Sequence, residues 1–526
     1  MRKNIFIGFV IVFSLFQASF LIAQITSSQI DSLVSVAMEQ FHVPGVAVGV
    51  VKEGKIIYAK GFGLRNIDDK SSRVNKHTQF AIASNTKAFT AAALAILVDK
   101  GKITWQTKVR SIIPEFTMYN SYVSDNFTVA DLLTHRSGLG LGAGDLMLFP
   151  KGGDFTIHDI LTNFQYFKPV SPFRTKFDYD NLLYIVAGEV VARVSGMSWR
   201  EFVKKNILVP LRMDDTYCYY SLISDKKNVA KPHVVENGVP HTTAPTQFDY
   251  NKINGAAASI YSGVYDLSEW MIVQMDGGKY GDSLKNTLFT GKSHRAMWSL
   301  HTVTKSRRSP RYNTHFSGYG YGWFLKDVQG KMEVSHTGGL TGMLSKVVMI
   351  PDINLGVVVL TNASNDGAGI FASVTQTIVD SYLGLNDNHL VTKYAEYFNH
   401  KQSKGDSVTK QVWKTVEEHK KLTIDKSRYT GTYKDSWLGK IEIYQKDGDL
   451  WFRSFRVSSL TGKMYYYNAN TFAIKWADRD MEADAFALFC LDEEGKAISI
   501  KMKGISPNID FSYDFQDLNF KRLNYE

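Results

Sequence analysis

Two cysteines in 526 residues, Cys218 and Cys490, leave little to build a disulfide framework or a thiolate metal site from. They lie far apart in sequence and read as buried free thiols. No His, Cys, Asp or Glu cluster has ligand spacing, so neither metal nor organic cofactor is implied. Basic residues exceed acidic ones by ten, yet Lys and Arg are scattered. The one short run, Lys305 to Arg311, reads as a solvated loop, and nothing points to a nucleic-acid partner. At 44% hydrophobic and 21% charged, the composition excludes disordered and fibrous classes. Long apolar runs are also missing, except at the N-terminus. There Arg2 and Lys3 precede an apolar stretch from Ile5 to Phe16, and Leu21-Ile-Ala23 ends in a small residue. This is the pattern of a secretory signal peptide, residues 1–23, cut after Ala23, and it implies a periplasmic or extracellular protein. An uncleaved membrane anchor is the rival reading, and the one way a membrane would enter.

What is present begins with Phe80-Ala-Ile-Ala-Ser84-Asn-Thr-Lys87, followed by an Ala/Leu-rich helical run that glycine stops at Gly101. A serine at a strand-to-helix junction, with lysine one turn on, puts hydroxyl and amine on one helix face. A desolvated lysine is neutral and can take the serine proton, and the helix N-terminus favours an oxyanion. The same spacing at Ser224/Lys227 and Ser407/Lys410 lacks the apolar helix and reads as surface.

A chain of this length predicts at least two domains. An amphipathic helix over 29–41, a hairpin over 46–60 and central helices come first. Late strands, including Val347 to Ile350 and Val357 to Leu360, and a helix over 367–383 complete one α/β unit whose sheet joins both ends of the unit. His135 and Ser137, in Leu132 to Leu139, read as side chains bonding a tight turn that lines the site. Residues 386–420 read as a linker, with a helical patch near Val412 to Glu418. From 421 to 526, short alternating segments separated by turns predict a small antiparallel barrel or sandwich.

Ser84-x-x-Lys87, Tyr179-x-Asn181 and His336-Thr337-Gly338-Gly339 occur in one order along the first unit. Together they resemble the penicillin-recognising serine hydrolases related to class C β-lactamases, D-alanyl-D-alanine carboxypeptidases and D-aminopeptidases. The resemblance implies a β-lactamase/transpeptidase-like α/β fold over 24–385, an antiparallel sheet flanked by helices with a helical subdomain. It implies Ser84 as nucleophile, Lys87 as its base, and Tyr179 supporting the base and the proton relay. A phenol with a pKa near ~10 needs cationic neighbours to act as a base. Asn181 would orient Lys87 and bond a substrate amide. His336, Thr337, Gly338 and Gly339 would form the substrate edge, with the Gly339 and Ser84 amides as oxyanion hole.

Histidine at 336 departs from the β-lactamase pattern, which has lysine there, and this puts a carboxylate clamp in doubt. The expected activity is amide or ester hydrolysis, foremost on peptides containing D-residues; a β-lactamase or D,D-carboxypeptidase, and a non-catalytic penicillin- or peptide-binding module, are the alternatives. The expected partners are small peptide, ester or β-lactam-like substrates. Arg428 to Tyr433 and Lys446 to Trp451 are similar to the lipocalin-like β-domain appended to some of these hydrolases.

Overall fold

A computed structural model describes residues 24–236, 238–246, 253–306, 309–364, 366–385 and 389–523. The expected signal segment, residues 1–23, lies outside the described residues. The first domain is built on an eight-stranded antiparallel sheet. Its strands are β1 (Gly45–Lys52), β2 (Lys55–Gly63), β3 (Thr302–Val303), β4 (Ser317–Tyr319), β5 (Phe324–Val328), β6 (Lys331–Leu340), β7 (Met343–Ile350) and β8 (Leu355–Thr361). They lie in the order β2-β1-β8-β7-β6-β5-β4-β3. The early hairpin is therefore locked onto the last strand, with Val48 opposite Val359.

Both faces of the sheet are covered at its centre, where β1, β7 and β8 are largely apolar and buried on both sides. Val46, Val48 and Val50 of β1, with Val357 and Val359 of β8, pack against α1 (Ser27–Gln40) and the later α5 (Asp366–Leu383). The alternate residues Ala47, Val358 and Leu360 face the larger core. That core holds α2 (Thr86–Asp99), α3 (Leu182–Ser195) and α4 (Val264–Met275). Every residue of α2 from Thr86 to Leu97 is buried, which is why its sequence is apolar all round.

The stretch expected as a linker connects the domains as a 29-residue helix, α6 (Leu390–Glu418). Leu390, Val391, Ala395, Val412 and Val416 form its buried stripe. Its first part joins the core beneath α1 and α5, and Trp413 near its end packs on Tyr465 of the second domain. That domain is a closed barrel of eight antiparallel strands, β9 (Gly431–Asp435), β10 (Gly439–Lys446), β11 (Asp449–Ser454), β12 (Thr461–Asn468), β13 (Thr471–Trp476), β14 (Ala485–Leu491), β15 (Ala497–Gly504) and β16 (Asn519–Arg522). Closure removes free strand edges. Large side chains, among them Tyr433, Phe452, Phe472, Trp476, Phe489 and Phe520, are buried in its core. Cys218 is buried as expected, but Cys490 is exposed because it falls on the outward phase of β14.

The barrel is docked on the first domain. Arg456 reaches Asp154 at 2.7 Å and Asp159 at 3.0 Å, while Trp437 packs on Phe167 with ring centres 5.1 Å apart.

Candidate active site

A two-residue strand, Phe80–Ala81, pairs with Tyr261–Ser262 and hands the chain to a tight turn, Ala83–Asn85, from which α2 springs. Ala83 sits at φ 48°, a left-handed conformation that costs a non-glycine residue of order 1 kcal/mol or more. The turn is held down from the sheet. Ser345 Oγ of β7 donates to the Ile82 carbonyl at 2.7 Å and accepts from Asn85 Nδ2 at 2.8 Å. Gly338 of β6 crosses directly beneath: a Cβ there would lie 2.1 Å from the Ile82 oxygen and 2.5 Å from Ser345 Oγ. Ser84 alone of the turn is partly accessible. Gly338→Ala is therefore expected to push the nucleophile turn off the sheet and lower esterase kcat/KM by at least about tenfold, with little change in circular dichroism.

Lys87 is completely buried, and its Nζ has three partners: Asn181 Oδ1 at 2.7 Å, the Ala257 carbonyl at 3.1 Å and Ser84 Oγ at 2.9 Å. Two are fixed acceptors, so a neutral amine donates to both and points its lone pair at the serine hydroxyl. Burial pulls the amine down to about 7 against the opposing fields of Asp145 and Asp180. Near neutral pH it is thus poised between charged and neutral forms, as a general base requires.

Tyr179 and Asn181 arrive on the segment that leads into α3. The Lys87 amine sits 4.8 Å from the centre of the Tyr179 ring, and the neighbouring Ser84 hydroxyl draws the phenol's pKa down. Burial nevertheless pushes Tyr179 well above its ordinary range, so it meets the serine as a neutral phenol. The cationic neighbour does not overcome desolvation, and the phenol suits a proton relay better than a phenolate base. Asn181 Oδ1 accepts from Lys87 Nζ at 2.7 Å. Its other end is spoken for, since Nδ2 donates to Asp145 Oδ2 at 2.7 Å.

The turn after the short helix Val129–Leu132 lines this cluster. His135 Nδ1 accepts from the Asp180 amide at 3.1 Å and its ring packs on Tyr179, centres 4.1 Å apart. Ser137 Oγ accepts from the Leu139 amide at 3.2 Å. Ser137 thus bonds its own turn, whereas His135 departs from the expectation and ties the turn to the segment that carries Tyr179 and Asn181.

His336 is buried, and both its ring nitrogens are engaged by the protein. Nδ1 lies 2.5 Å from the Thr337 carbonyl and so carries the proton; Nε2 accepts from the Tyr319 hydroxyl at 2.9 Å. Burial, helped by the Lys87 charge, lowers its pKa to about 3 and keeps the ring neutral. The ring therefore carries no charge at neutral pH. Beyond it, Thr337 and Gly339 are exposed, and β6 pairs there with β7 only, because β5 stops opposite Ser335. Thr337, Gly338 and Gly339 thus present an open backbone edge beside Ser84.

All eight motif residues converge on this one place. The sequence profile described as Beta-lactamase matches residues 30–372 of the chain. The chain belongs to the beta-lactamase family. A second profile, a domain of unknown function (DUF3471), matches 419–522, the barrel. This beta-lactamase family member is similar to unguisins hydrolase ungD' of Aspergillus campestris, 27% identical over 366 residues, 67% of this chain and 65% of that one. It is also similar to Protein flp of Staphylococcus aureus, 26% identical over 345 residues, 65% and 64% of the two chains. The match therefore spans just under two thirds of those relatives' length. Among solved structures, an octameric penicillin-binding protein homologue from Pyrococcus abyssi has a TM-score of 0.59 at 20% identity, covering 94% of this chain and 99% of that one. A penicillin binding protein from Bacillus halodurans has a TM-score of 0.53 at 23% identity, covering 65% and 99%. At those identities the likeness is one of fold. Residues 30–372 are accordingly a beta-lactamase-family domain, with a barrel appended.

The family motifs do not mark four residues that the geometry adds to the site: Ser345, Asp145, Phe511 and Asp514. The last two come from the barrel. Phe511 packs edge-on against Tyr179, ring centres 5.7 Å apart.

Proposed function

We propose that this protein is a secreted serine hydrolase that cleaves amide or ester bonds through an acyl-enzyme on Ser84, acting foremost on peptides containing D-residues. The observation that carries the reading is the buried Lys87 amine, 2.9 Å from Ser84 Oγ and held there by two fixed acceptors. Neutral Lys87 takes the serine proton as Oγ attacks the substrate carbonyl carbon. The amides of Ser84 and Gly339 receive the oxyanion. The proton then passes to the leaving group, with the neutral Tyr179 phenol as relay, and the acyl-enzyme forms. Water attacks the ester by the reverse proton path and frees Ser84.

Substrate class follows from what surrounds the serine. The open edge of β6 accepts an extended peptide backbone through main-chain hydrogen bonds. A neutral His336 gives no permanent cation for a substrate carboxylate, which argues against carboxypeptidase or efficient β-lactam turnover. The preference for D-residues rests on the resemblance of the third motif, with histidine at its head, to D-aminopeptidases. Secretion rests on the basic and apolar N-terminal segment ending at Ala23.

The reading is tested by incubating the full mature chain with a short-acyl nitrophenyl ester, quenching in acid and mapping the acyl mass. Acylation of the peptide bearing Ser84, with turnover, supports it; release of nitrophenol with no acyl on that peptide would sink it. Paired D- and L-peptide amides then decide the substrate class, and equal rates would remove the stereochemical claim.

The pH profile is a separate check. The active form has neutral Lys87, so kcat/KM should rise with pH through an apparent pKa of about 7. It should then stay level to at least about pH 9, because His336 is already neutral and Tyr179 is still protonated. A steep fall between pH 7 and 9 would show that a charged histidine is required.

A further inference from the structure

The loop between β15 and β16 carries the barrel into the first domain. Gly142, at φ 71°, makes room for it: a Cβ there would lie 2.6 Å from the Phe511 carbonyl oxygen. Three residues on, Asp514 is fully buried, and its two carboxylate oxygens accept from the backbone of the hydrolase domain. Oδ2 takes the Gly144 amide at 2.7 Å and Oδ1 the Leu146 amide at 3.0 Å. These amides flank Asp145 in the turn Asp145–Met147, whose own N-cap, Gly144, offers no side chain to do this work.

Asp145 in turn decides how Asn181 is oriented. An amide can present oxygen or nitrogen to Lys87, and only the oxygen is useful to an amine that must donate. Asp145 Oδ2 accepts from Asn181 Nδ2 at 2.7 Å, which leaves Oδ1 to accept from Lys87 at 2.7 Å. With Asp145 displaced, the Asn181 amide is free to turn its NH2 toward Lys87, and the amine loses the acceptor that aims its lone pair at Ser84.

We propose that Asp514 of the barrel is a positioning residue for the Ser84–Lys87 pair, acting through the Asp145 turn and Asn181, so that the site is complete only when the barrel is docked. The proposal rests on Ser84 being the nucleophile. It differs from simple domain adhesion, because adhesion at Arg456, which pairs with Asp154 and Asp159, touches none of these residues.

The experiment uses the full chain with Asp514→Asn, Asp514→Ala and Arg456→Gln. Three quantities are measured for each: thermal melting, the rate of Ser84 phosphonylation by a fluorophosphonate, and kcat and KM for a nitrophenyl ester. Both Asp514 variants should lose at least about tenfold in phosphonylation rate and kcat, as a misaimed base does, with KM within about threefold. The loss in Asp514→Asn should be the smaller, since its carbonyl oxygen keeps one of the two amide bonds. Arg456→Gln should stay within about twofold of wild type even where it melts earlier. Should Asp514→Ala not fold, Asp514→Asn decides. The proposal is overturned if folded Asp514→Asn is phosphonylated at the wild-type rate. It is equally overturned if the losses follow melting temperature alike in the Asp514 and Arg456 variants. A wild-type protein that melts cooperatively but is not phosphonylated at Ser84 would remove the nucleophile reading, and this one with it.

Discussion

Ser84→Ala should reduce ester turnover by a factor of about 10⁴ or more, to the level of the buffer reaction plus whatever the oxyanion site contributes. The size of the effect follows from the absence of a substitute. Ser84 is the partly accessible member of its turn, while Asn85 and Thr86 are buried. The methyl group of alanine fits without strain, so melting temperature should change by no more than about 2 °C. Equal activity in wild type and variant would transfer the chemistry elsewhere and leave a binding module as the better account.

Lys87→Met should cost about 10² to 10⁴ in kcat/KM, the range for loss of a general base. Combined with Ser84→Ala it should cost nothing further, because the two act as one unit. The same variant should be more stable than wild type. The folded-state pKa of Lys87, about 7, lies below its ordinary value of 10.5. A depressed lysine contributes full stability only above pH 10.5; stability falls as pH drops from there to about 7 and then levels off. At pH 7 the native state has lost on the order of 4 kcal/mol relative to an unshifted lysine. Methionine fills the same space without the charge, so a rise in melting temperature of several degrees is expected, largest near neutral pH. A drop in stability at pH 7 would mean that the lysine's three hydrogen bonds outweigh its desolvation.

Much of this site could be read from local spacing. Ser84 and Lys87 are one helical turn apart, Tyr179 and Asn181 lie two residues apart before a helix, and His336 to Gly339 form one strand segment. Each is a short-range pattern, and short-range patterns survive in sequence. The sheet that joins both ends of the first domain was legible for the same reason: its strands are apolar and bounded by turns. Asp145, Ser345 and Asp514 were not legible, because each acts through one or two hydrogen bonds to residues outside its own segment, 36 residues away for Asp145 and at least 260 for the other two, and such bonds leave no periodic trace. Helix α6 was hidden by composition. Its stripe is interrupted by Gly405 and by long polar runs, and much of its apolar face is matched by the barrel rather than by its own neighbours. The protonation of Tyr179 and His336 depends on burial, which spacing does not report.

The pairing of β1 with β8 sets a schedule for making the protein. Val48 must wait for Val359, about 310 residues later, before the sheet can close. At roughly 5–20 residues per second, a ribosome holds the apolar β1–β2 hairpin without its inner neighbour for about 15–60 s. During that time a run from Val46 to Val51 is an open edge competent to pair with any extended chain. Newly made protein is therefore a ready client for holding chaperones, and messages truncated before Thr361 should yield aggregates rather than a smaller soluble hydrolase.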